Sequence, residues 1–456
     1  MTLPPSPKLP SVVTTYRWMR TPYEFFDECH ETLGDAFTFK LPGLPPIAVF
    51  SEPEVVKHVF SDNGEDLLAG EFNKSLSAFL GDKSVLMADK APHLRKRRLL
   101  LPPFHGERMV KYGEIMRDLT DEVIDAMPLG ERFSLHERLN KIALHVIVRN
   151  VFGVDPGPRE EALRKSVTET LDVLTWPPFL LPMMRVDLGR FSPWGKAVRT
   201  RDRTDKLLLE EIHLRRREGT KGRDDVLSLL VDARDEDGQP MSDEELRDEL
   251  TTLLVAGHET TATAISWAFR WILDLPEVEA RLLEELEEAR AKGPLTSAVI
   301  GALPYLDATC REALRHQPII PIVGRVLDKP MTIGGYDFPK GMAVVCSIYL
   351  AHRRPEAYPD PTRFHPDRFL QKKMTPAEFF PFGGGVRRCI GMAFALYEMK
   401  MVTAQLLLRT RLTLAGKRPV KIERRAITLT PSEGLPVKLL ERRPREGQRH
   451  PGVAAE

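Results

Sequence analysis

One cysteine of this chain lies in a loop that is dense in glycine and also carries arginine. The loop has the sequence FFPFGGGVRRCIG, residues 379–391, and the cysteine is Cys389. Glycine lacks a Cβ atom, so it takes positive φ readily and lets the backbone approach a flat macrocycle closely. The next residues, MAFALYEMKMVTAQLLLRT, have helical periodicity and no proline, so we expect Cys389 at a helix N-terminus, which favours the thiolate. The pattern indicates a thiolate that binds iron beside a porphyrin.

The other three cysteines, Cys29, Cys310 and Cys346, have no comparable surroundings. Free cysteine is usually a small buried hydrophobic residue, so we interpret them as structural. The four cysteines of the chain show no paired spacing, which argues against a disulfide framework and against a C-x-x-C metal site. We therefore expect a cytoplasmic protein.

Five positions of the loop have the spacing F-x-x-G-x-R-x-C-x-G. They are Phe382, Gly385, Arg387, Cys389 and Gly391. With this spacing, the segment resembles the haem-binding loop of the cytochrome P-450 superfamily. The resemblance implies that haem b (iron protoporphyrin IX) is the cofactor, that Cys389 is its iron ligand, and that Phe382, Arg387 and Gly391 help to hold it.

A long helix is predicted from Ser242 to Leu275. A capping box of Ser242 with Glu245 begins it, and Pro276 stops it. At ~1.5 Å per residue such a helix spans about 50 Å, roughly the width of a molecule of this size. We expect it to cross the centre of the protein.

The middle of this helix, AGHETT, places a glycine, a carboxylate and two hydroxyls in an otherwise apolar stretch. A glycine in a helix interior destabilises the helix by about 1 kcal/mol relative to alanine, so a packing or functional reason for Gly257 is expected. A structural explanation is a helix crossing at Gly257 and a Thr260 hydroxyl that bonds back to a carbonyl. The string also resembles the superfamily's distal-helix motif, which implies that Glu259 and Thr260 direct protons to oxygen bound at the iron.

His258 lies between these residues and could be mistaken for a second metal ligand. A helix turns by about 100° per residue, so His258 points away from the face that Ala256 and Thr260 share. We interpret His258 as structural or solvent-facing.

Three further charged residues match a superfamily pattern. Glu312 and Arg315 lie on a short helix that ends before Pro318, and Arg368 lies in the later segment FHPDRF. Alone, an E-x-x-R pair is a common surface ion pair that contributes little to stability. The resemblance implies a buried charge network behind the haem loop, so we assign Glu312, Arg315 and Arg368 to folding and haem retention. Asp367 stands where the superfamily more often has glutamate.

The carboxylates of a porphyrin require cations. His93 and Arg97 are spaced i,i+4 in APHLRKRRLL and so lie on one helical face, where both can reach one propionate. The pair resembles the H-x-x-x-R motif of soluble bacterial members of the superfamily. Arg325 and Arg387 fit other propionate-binding positions of the superfamily.

A basic surface is expected on the thiolate side of the haem. Arg95, Lys96 and Arg98 are interpreted as a solvated basic face, which Arg388 would join and which suits an acidic electron-transfer partner. The whole chain has 66 Lys and Arg against 65 Asp and Glu, a net charge of +1. This balance argues against a general affinity for nucleic acid or for an anionic membrane.

The expected elements give a mixed α/β, predominantly α-helical fold. Two short strands and a helix are predicted over residues 34–60, mostly helices over 106–290, and strands over 319–350 with a turn at Gly334-Gly335. The resemblance implies one cytochrome P-450 domain over residues 1–440, followed by a polar, disordered tail over 441–456. No stretch approaches the ~18 apolar residues of a membrane span, so no membrane anchor is expected.

The resemblance implies a haem-thiolate monooxygenase that inserts one oxygen atom from O2 into a lipophilic small molecule by hydroxylation or epoxidation. Fatty acids, terpenoids and other apolar natural products all fit. A peroxide-driven peroxygenase and a non-catalytic haem sensor or electron carrier are the alternatives, and Glu259 with Thr260 argues against both. No reductase domain is recognisable, so electrons are expected from a ferredoxin or flavodoxin with its NAD(P)H-dependent reductase.

By family position, the substrate pocket is expected to include Ala256, Ile320, Val323 and Leu429. The loop 66–92 and the connector Phe179 to Met184 should also contribute to it. These positions are largely aliphatic, which is why an apolar substrate is expected.

Overall fold

The computed structural model describes residues 3–42, 45–154, 157–174, 176, 179, 184–416, 419–425 and 427–445. Helices make up most of the described chain, and small sheets lie near both ends of it. The helices are Ser11–Arg20 (α1), Pro22–Leu33 (α2), Pro53–Ser61 (α3), Ala69–Asn73 (α4), Ser77–Leu80 (α5), Lys90–Leu100 (α6), Arg108–Asp125 (α7), Leu135–Ile147 (α8), Pro158–Leu174 (α9), Pro193–Glu218 (α10), Val226–Asp232 (α11), Asp243–Ile272 (α12), Pro276–Ala291 (α13), Ser297–Gly301 (α14), Pro304–His316 (α15), Ile348–Ala351 (α16), Arg368–Gln371 (α17) and Met392–Arg409 (α18).

The strands confirm the predicted mixed fold. They are Ala36–Phe39 (β1), Ile47–Phe50 (β2), Leu67–Leu68 (β3), Arg132–Ser134 (β4), Ile322–Leu327 (β5), Met331–Ile333 (β6), Tyr336–Phe338 (β7), Ala343–Ser347 (β8), Thr410–Leu414 (β9), Ile422–Arg425 (β10), Thr428–Pro431 (β11) and Pro436–Arg442 (β12). The largest sheet has the order β1-β2-β8-β5-β3, and smaller sheets pair β10 with β11, β6 with β7, and β4-β12-β9. Strands β2 and β8 are parallel and buried throughout, which fits their unbroken apolar sequences.

Two predicted boundaries shift in the structure. The strand predicted in MAVVCSIYL ends at Ser347, whose hydroxyl accepts a hydrogen bond from the Leu350 amide and caps the short helix α16. The first two residues of the tail predicted from residue 441 belong to β12, which extends to Arg442. Residues 446–456 of that tail lie outside the described residues.

Helix α12 is the central element. Its predicted capping box is confirmed, with Ser242 Oγ 3.1 Å from the Glu245 amide and Glu245 Oε2 3.0 Å from the Ser242 amide. The helix ends at Ile272 and not at Leu275, because the residue before Pro276 is driven out of the helical region. Helices α8, α10, α15 and α18 all pack against it.

Two kinds of core hold these elements together. A large helical core includes residues of α7, α8, α12, α15 and α18, and two smaller clusters cover the two faces of the largest sheet. Among the residues that the structure describes, no helix is both long and apolar enough to cross a membrane.

Candidate functional site

The loop 379–391 runs directly into α18. Cys389 lies shortly before the first helical residue, with Gly391 as the N-cap, and its amide donates to the Phe382 carbonyl over 2.9 Å. Gly383 and Gly385 have φ of 68° and 62°, in the left-handed region that glycine occupies readily. Cys389 is exposed, whereas the other three cysteines are buried. The predicted position of Cys389 at a helix start is confirmed.

The glycines of the loop serve packing as well as conformation. A Cβ atom on Gly384 would overlap the Phe60 ring, and one on Gly385 would overlap the Phe60 carbonyl oxygen. Helix α3, which carries Phe60, therefore presses directly on the loop. A Cβ atom on Gly391 would meet nothing within 4 Å. Open space therefore lies beside this residue, two positions after Cys389.

The protein alone does not stabilise the thiolate of Cys389 fully. Although the Cys389 side chain reaches the surface, desolvation by the surrounding protein atoms raises the pKa of its thiol, while the Gly391 amide and the charge of Arg97 act in the opposite direction. The helix start therefore favours the thiolate, as predicted, but desolvation outweighs it. A bound iron ion would supply the positive charge that removes the proton from a coordinating thiol.

His93, Arg97, Arg325 and Arg387 gather in one cluster, in which His93 and Arg325 are buried and Arg97 and Arg387 are half-buried. Burial and the charges of Arg387, Arg97 and Arg325, in this order, lower the pKa of His93 to about 3. Burial also lowers the pKa of Arg97 and of Arg325. Within the described part of the chain, neither of these two arginines forms an ion pair. Buried cations without an anionic partner are costly, so the cluster requires an anion.

Arg387 has partners of its own in this cluster. Its guanidinium pairs with Asp89 and donates to the Ala88 carbonyl over 2.6 Å, but its buried Nε atom has no partner among the described residues. The charge of Arg97 also acts on Cys389, which places the cluster beside the thiol. Unpaired buried cations next to an exposed thiol fit the two carboxylates and the iron of haem b.

Helix α12 presents Ala256 and Thr260 on one face. Ala256 is exposed and Thr260 is half-buried, although the helix crosses the centre of the protein. The Thr260 hydroxyl donates to the Ala256 carbonyl. A Cβ atom on Gly257 would lie 2.9 Å from Ile147 Cδ1 of α8. Both structural explanations for this stretch therefore hold, and they leave the face of Ala256 and Thr260 open.

Glu259 faces α8 and β10. Its Oε1 atom lies 3.5 Å from His136 Nε2 and 3.6 Å from Arg425 Nε, and its Oε2 atom accepts from Asn140 over 3.4 Å. Burial raises the pKa of Glu259, opposed by Arg425 and Asn140. Burial, Arg425 and His258 lower the pKa of His136 to about 3, so His136 is neutral. The sequence did not predict His136, Asn140 and Arg425 as site residues, because they lie far from Glu259 along the chain and no local pattern marks them.

His258 joins the same buried cluster. Burial, above all, lowers the pKa of His258 to about 4, and its ring bonds to the Asn140 backbone. Its Nδ1 atom has no hydrogen-bond partner in the described structure. His258 is half-buried overall, and the burial of its ring nitrogen fits a structural role.

Glu312, Arg315 and Arg368 form one buried network. Arg315 donates to both Glu312 oxygens over 2.7 and 2.8 Å, and Arg368 Nε donates to Glu312 over 3.1 Å. The side chains of Glu312 and Arg315 are fully buried, with 0% exposure. Asp367 lies outside this network and pairs with Arg281 at 2.6 Å. The structure thus places together the three residues that the sequence pattern grouped.

The predicted solvated basic face is wrong for Lys96, which is buried, and its members Arg95 and Arg98 carry acidic partners. Arg95 pairs with Asp235 at 2.6 Å and with Glu245 at 3.1 Å. Lys96 is buried and pairs with Glu245 at 3.0 Å and with Glu249 at 3.4 Å. Arg98 pairs with Glu236. The physical reason is that acidic residues in and before the first turns of α12 lie against α6 and neutralise it.

Arg388 is the remaining member of that predicted face. It is exposed, and it forms no ion pair with any residue that the structure describes. It adjoins Cys389 in sequence, and its charge lowers the pKa of Arg97. The free positive charge on this side of the ligand loop therefore belongs to Arg388.

The predicted pocket residues differ in their positions. Val323 lies beside the ligand loop, since a Cβ atom on Gly383 would be 3.6 Å from Val323 Cγ1, and Ile320 is half-buried. Leu429 is fully buried in the core beside the largest sheet, with 0% exposure, so its side chain has no surface for a substrate. The predicted loop 66–92 contains β3, α4, α5 and the start of α6. Of the predicted connector, residues 180–183 lie outside the described residues.

Comparisons with known proteins agree on one family. The sequence matches the family profile described as Cytochrome P450 over residues 4–439. Cytochrome P450 135B1 of Mycobacterium tuberculosis is 37% identical over 423 residues, which cover 92% of this chain and 88% of that protein. Cytochrome P450 135A1 of the same species is 34% identical over 447 residues, 97% of this chain and 96% of that protein.

A solved structure agrees with this grouping. The retinoic acid bound cyanobacterial CYP120A1 matches with a TM-score of 0.83 at 25% identity, over 96% of this chain and 99% of that chain. The chain therefore belongs to the cytochrome P450 family and is a haem-dependent monooxygenase whose cofactor is haem b.

Proposed function

We propose that this chain inserts one oxygen atom from O2 into a lipophilic small molecule, by hydroxylation or epoxidation. The aliphatic residues at the predicted pocket positions carry the proposal. Val323 adjoins Gly383 of the loop, Ala256 is exposed on α12, and Ile320 is half-buried near the start of β5. None of these side chains is charged, which favours an apolar substrate. Retinoic acid, the ligand of the cyanobacterial neighbour, is a molecule of this kind.

A screen for changes in the ferric haem spectrum tests the substrate class. Fatty acids, terpenoids and similar apolar compounds should shift the spectrum at micromolar concentrations, because they fill the apolar surface and displace water. Sugars and charged amino acids of similar size serve as controls and should leave the spectrum unchanged. Shifts from the polar set alone would contradict a lipophilic substrate.

Cys389 is proposed as the iron ligand, supported by its position before α18 and by the cations beside it. The reduced carbon-monoxide complex of the wild type should absorb near ~450 nm, the signature of thiolate ligation. Cys389→Ala should abolish this band, and Cys389→His should move it toward a globin-like position. Cys29→Ala serves as the control because Cys29 is buried in α2, away from the loop. Survival of the band in Cys389→Ala would rule out the assignment.

Glu259 and Thr260 are proposed to carry protons to the site. Bound haem would supply the iron at which O2 is reduced. Burial raises the pKa of Glu259, so this group can hold a proton, and Arg425, whose side chain is 39% exposed, favours its release. The proton comes from bulk water near Arg425, and Glu259 returns to its starting state after each transfer. The Thr260 hydroxyl, on the open face, would deliver it.

Thr260→Ala tests this route. The variant should bind substrate almost normally but divert reducing equivalents to peroxide, and product formed per NAD(P)H should fall on the order of 10²-fold. Glu259→Gln should have the same effect, because an amide cannot supply the proton. Thr261→Ala is a matched control, since Thr261 is buried on another face of α12. Product yield equal to that of the wild type in both variants would exclude the route.

Separate redox proteins are proposed to supply the electrons, with an acidic ferredoxin or flavodoxin docking near Arg388. The support for this position is the exposed, unpaired guanidinium beside Cys389. Arg95 and Lys96 no longer support it, because carboxylates within the protein neutralise their charges, and the exposed Arg98 shares its charge with the exposed Glu236. The docking surface is therefore smaller than the sequence predicted.

Arg388→Gln should raise the partner concentration that gives half-maximal reduction by several-fold. Reduction of the wild type should also slow with salt, because the Debye length falls from about 10 Å at 0.1 M to about 3 Å at 1 M. Arg98→Gln removes the same charge from a paired site and is the control. Turnover driven by added peroxide needs no partner and should not change. Activity with peroxide alone, and none with reduced partners, would favour the peroxygenase alternative.

A further inference from the structure

His352 connects the buried charge network to the ligand loop. It lies at the C-terminus of α16 with 0% exposure. Its ring Nε2 atom accepts a hydrogen bond from the Phe380 amide over 3.0 Å. Its backbone carbonyl accepts one from Arg315 Nη1, also over 3.0 Å. One residue therefore contacts both the arginine of the network and the second residue of the loop.

The hydrogen bonds continue from Phe380 toward the iron ligand. The Phe380 carbonyl accepts from the Gly383 amide over 2.9 Å, and the Phe382 carbonyl accepts from the Cys389 amide over 2.9 Å. From Glu312 through Arg315 and His352, each link to the loop is thus a direct contact. The position of Cys389 depends on the first of these loop contacts, because the turn at Gly383 is built on Phe380.

The contact requires a neutral imidazole. Burial, and then the charges of Arg315 and Arg353, hold the pKa of His352 well below its usual value. Because Nε2 accepts from the Phe380 amide, the ring proton is on the buried Nδ1, where the Arg315 backbone favours it although no hydrogen bond of normal geometry forms among the described residues. A polar ring in this setting is an unfavourable choice for packing alone. The hydrogen bond that Nε2 accepts therefore explains why histidine is favoured at this position.

Packing is the competing explanation. The His352 ring stacks on Phe379 with a centroid distance of 5.3 Å and an angle of 23°, and it meets Phe380 edge-on at 5.3 Å. A phenylalanine would keep these ring contacts. The two explanations therefore predict different results for His352→Phe.

We propose that His352 is a positioning residue of the haem-thiolate site, which holds the loop 379–391 in register through its hydrogen bond from the Phe380 amide. The proposal rests on Cys389 being the iron ligand. It assigns to His352 no contact with substrate or cofactor. Its effect reaches the sulfur through the backbone of the loop.

Three variants test the hydrogen bond. His352→Phe keeps the ring and removes the acceptor, leaving the Phe380 amide buried without a partner. His352→Gln restores an acceptor close to the position of Nε2. The control is His316→Phe, since His316 is also buried and neutral, at the end of α15, but its ring bonds to the Thr362 carbonyl over 2.7 Å and not to the loop.

Two measurements are made on each variant. Amide hydrogen exchange of the loop 379–391 is followed in the ferric, haem-bound protein, and the ~450 nm band of the reduced carbon-monoxide complex is followed over time. We expect exchange of the loop and loss of the band to be on the order of tenfold faster in His352→Phe than in the wild type. His352→Gln should recover most of the difference, and His316→Phe should match the wild type in both measurements.

The outcomes separate this proposal from the assignment of Cys389. A wild type without the ~450 nm band would contradict Cys389 as the ligand. A wild type with the band, and equal rates in His352→Phe and His316→Phe, would overturn the role of His352. If His352→Phe does not fold, His352→Asn replaces it, because its shorter side chain also fails to reach the Phe380 amide. Wild-type exchange and band lifetime in that folded variant would equally overturn the proposal.

Discussion

The ion pair between Glu312 and Arg315 is the constraint on which the haem-thiolate side of this protein depends. Both side chains are fully buried, so each charge must be matched by close contacts. Arg315 uses its remaining N–H groups on the carbonyls of His352, Pro361 and Arg363, and Glu312 accepts from the His365 amide. A buried arginine thereby fixes the path of the irregular segment between α16 and α17.

The ligand loop is held between that segment and α3. His352 lies on one side, and Phe60 lies against Gly384 and Gly385 on the other. The loop glycines are therefore required by protein packing as much as by the approach of a macrocycle. This double constraint explains why a loop without regular hydrogen bonding can hold a sulfur atom in one place.

Neighbouring cations on α6 have different roles, which depend on whether each one has an acidic partner. Arg95 and Lys96 share a helix with His93 and Arg97, yet Arg95 and Lys96 meet the carboxylates of the α12 region, whereas Arg97 forms no ion pair in the described chain. Cations that are paired within the protein stabilise the contact between α6 and α12. Cations that are left unpaired and buried require an anion from elsewhere, and the propionates of haem provide one.

Much of the site could be predicted from sequence, because its parts are local patterns. The spacing around Cys389, the capping box at Ser242 and the i,i+3 pair of Glu312 and Arg315 each depend on residues close together in the chain, where geometry follows from helix and turn rules. Family resemblance extended these patterns to a mixed, mainly helical fold.

Only the tertiary structure decided which charges are free and which residues surround the distal acid. Arg95, Lys96 and Arg98 look like a basic face in sequence, but their acidic partners Asp235, Glu236 and Glu245 lie in and before the start of α12, more than a hundred positions away. His136 and Arg425 reach Glu259 in the same way, from distant elements. Electrostatic partners are set by distance in space and by burial, and neither quantity is encoded by spacing along one segment.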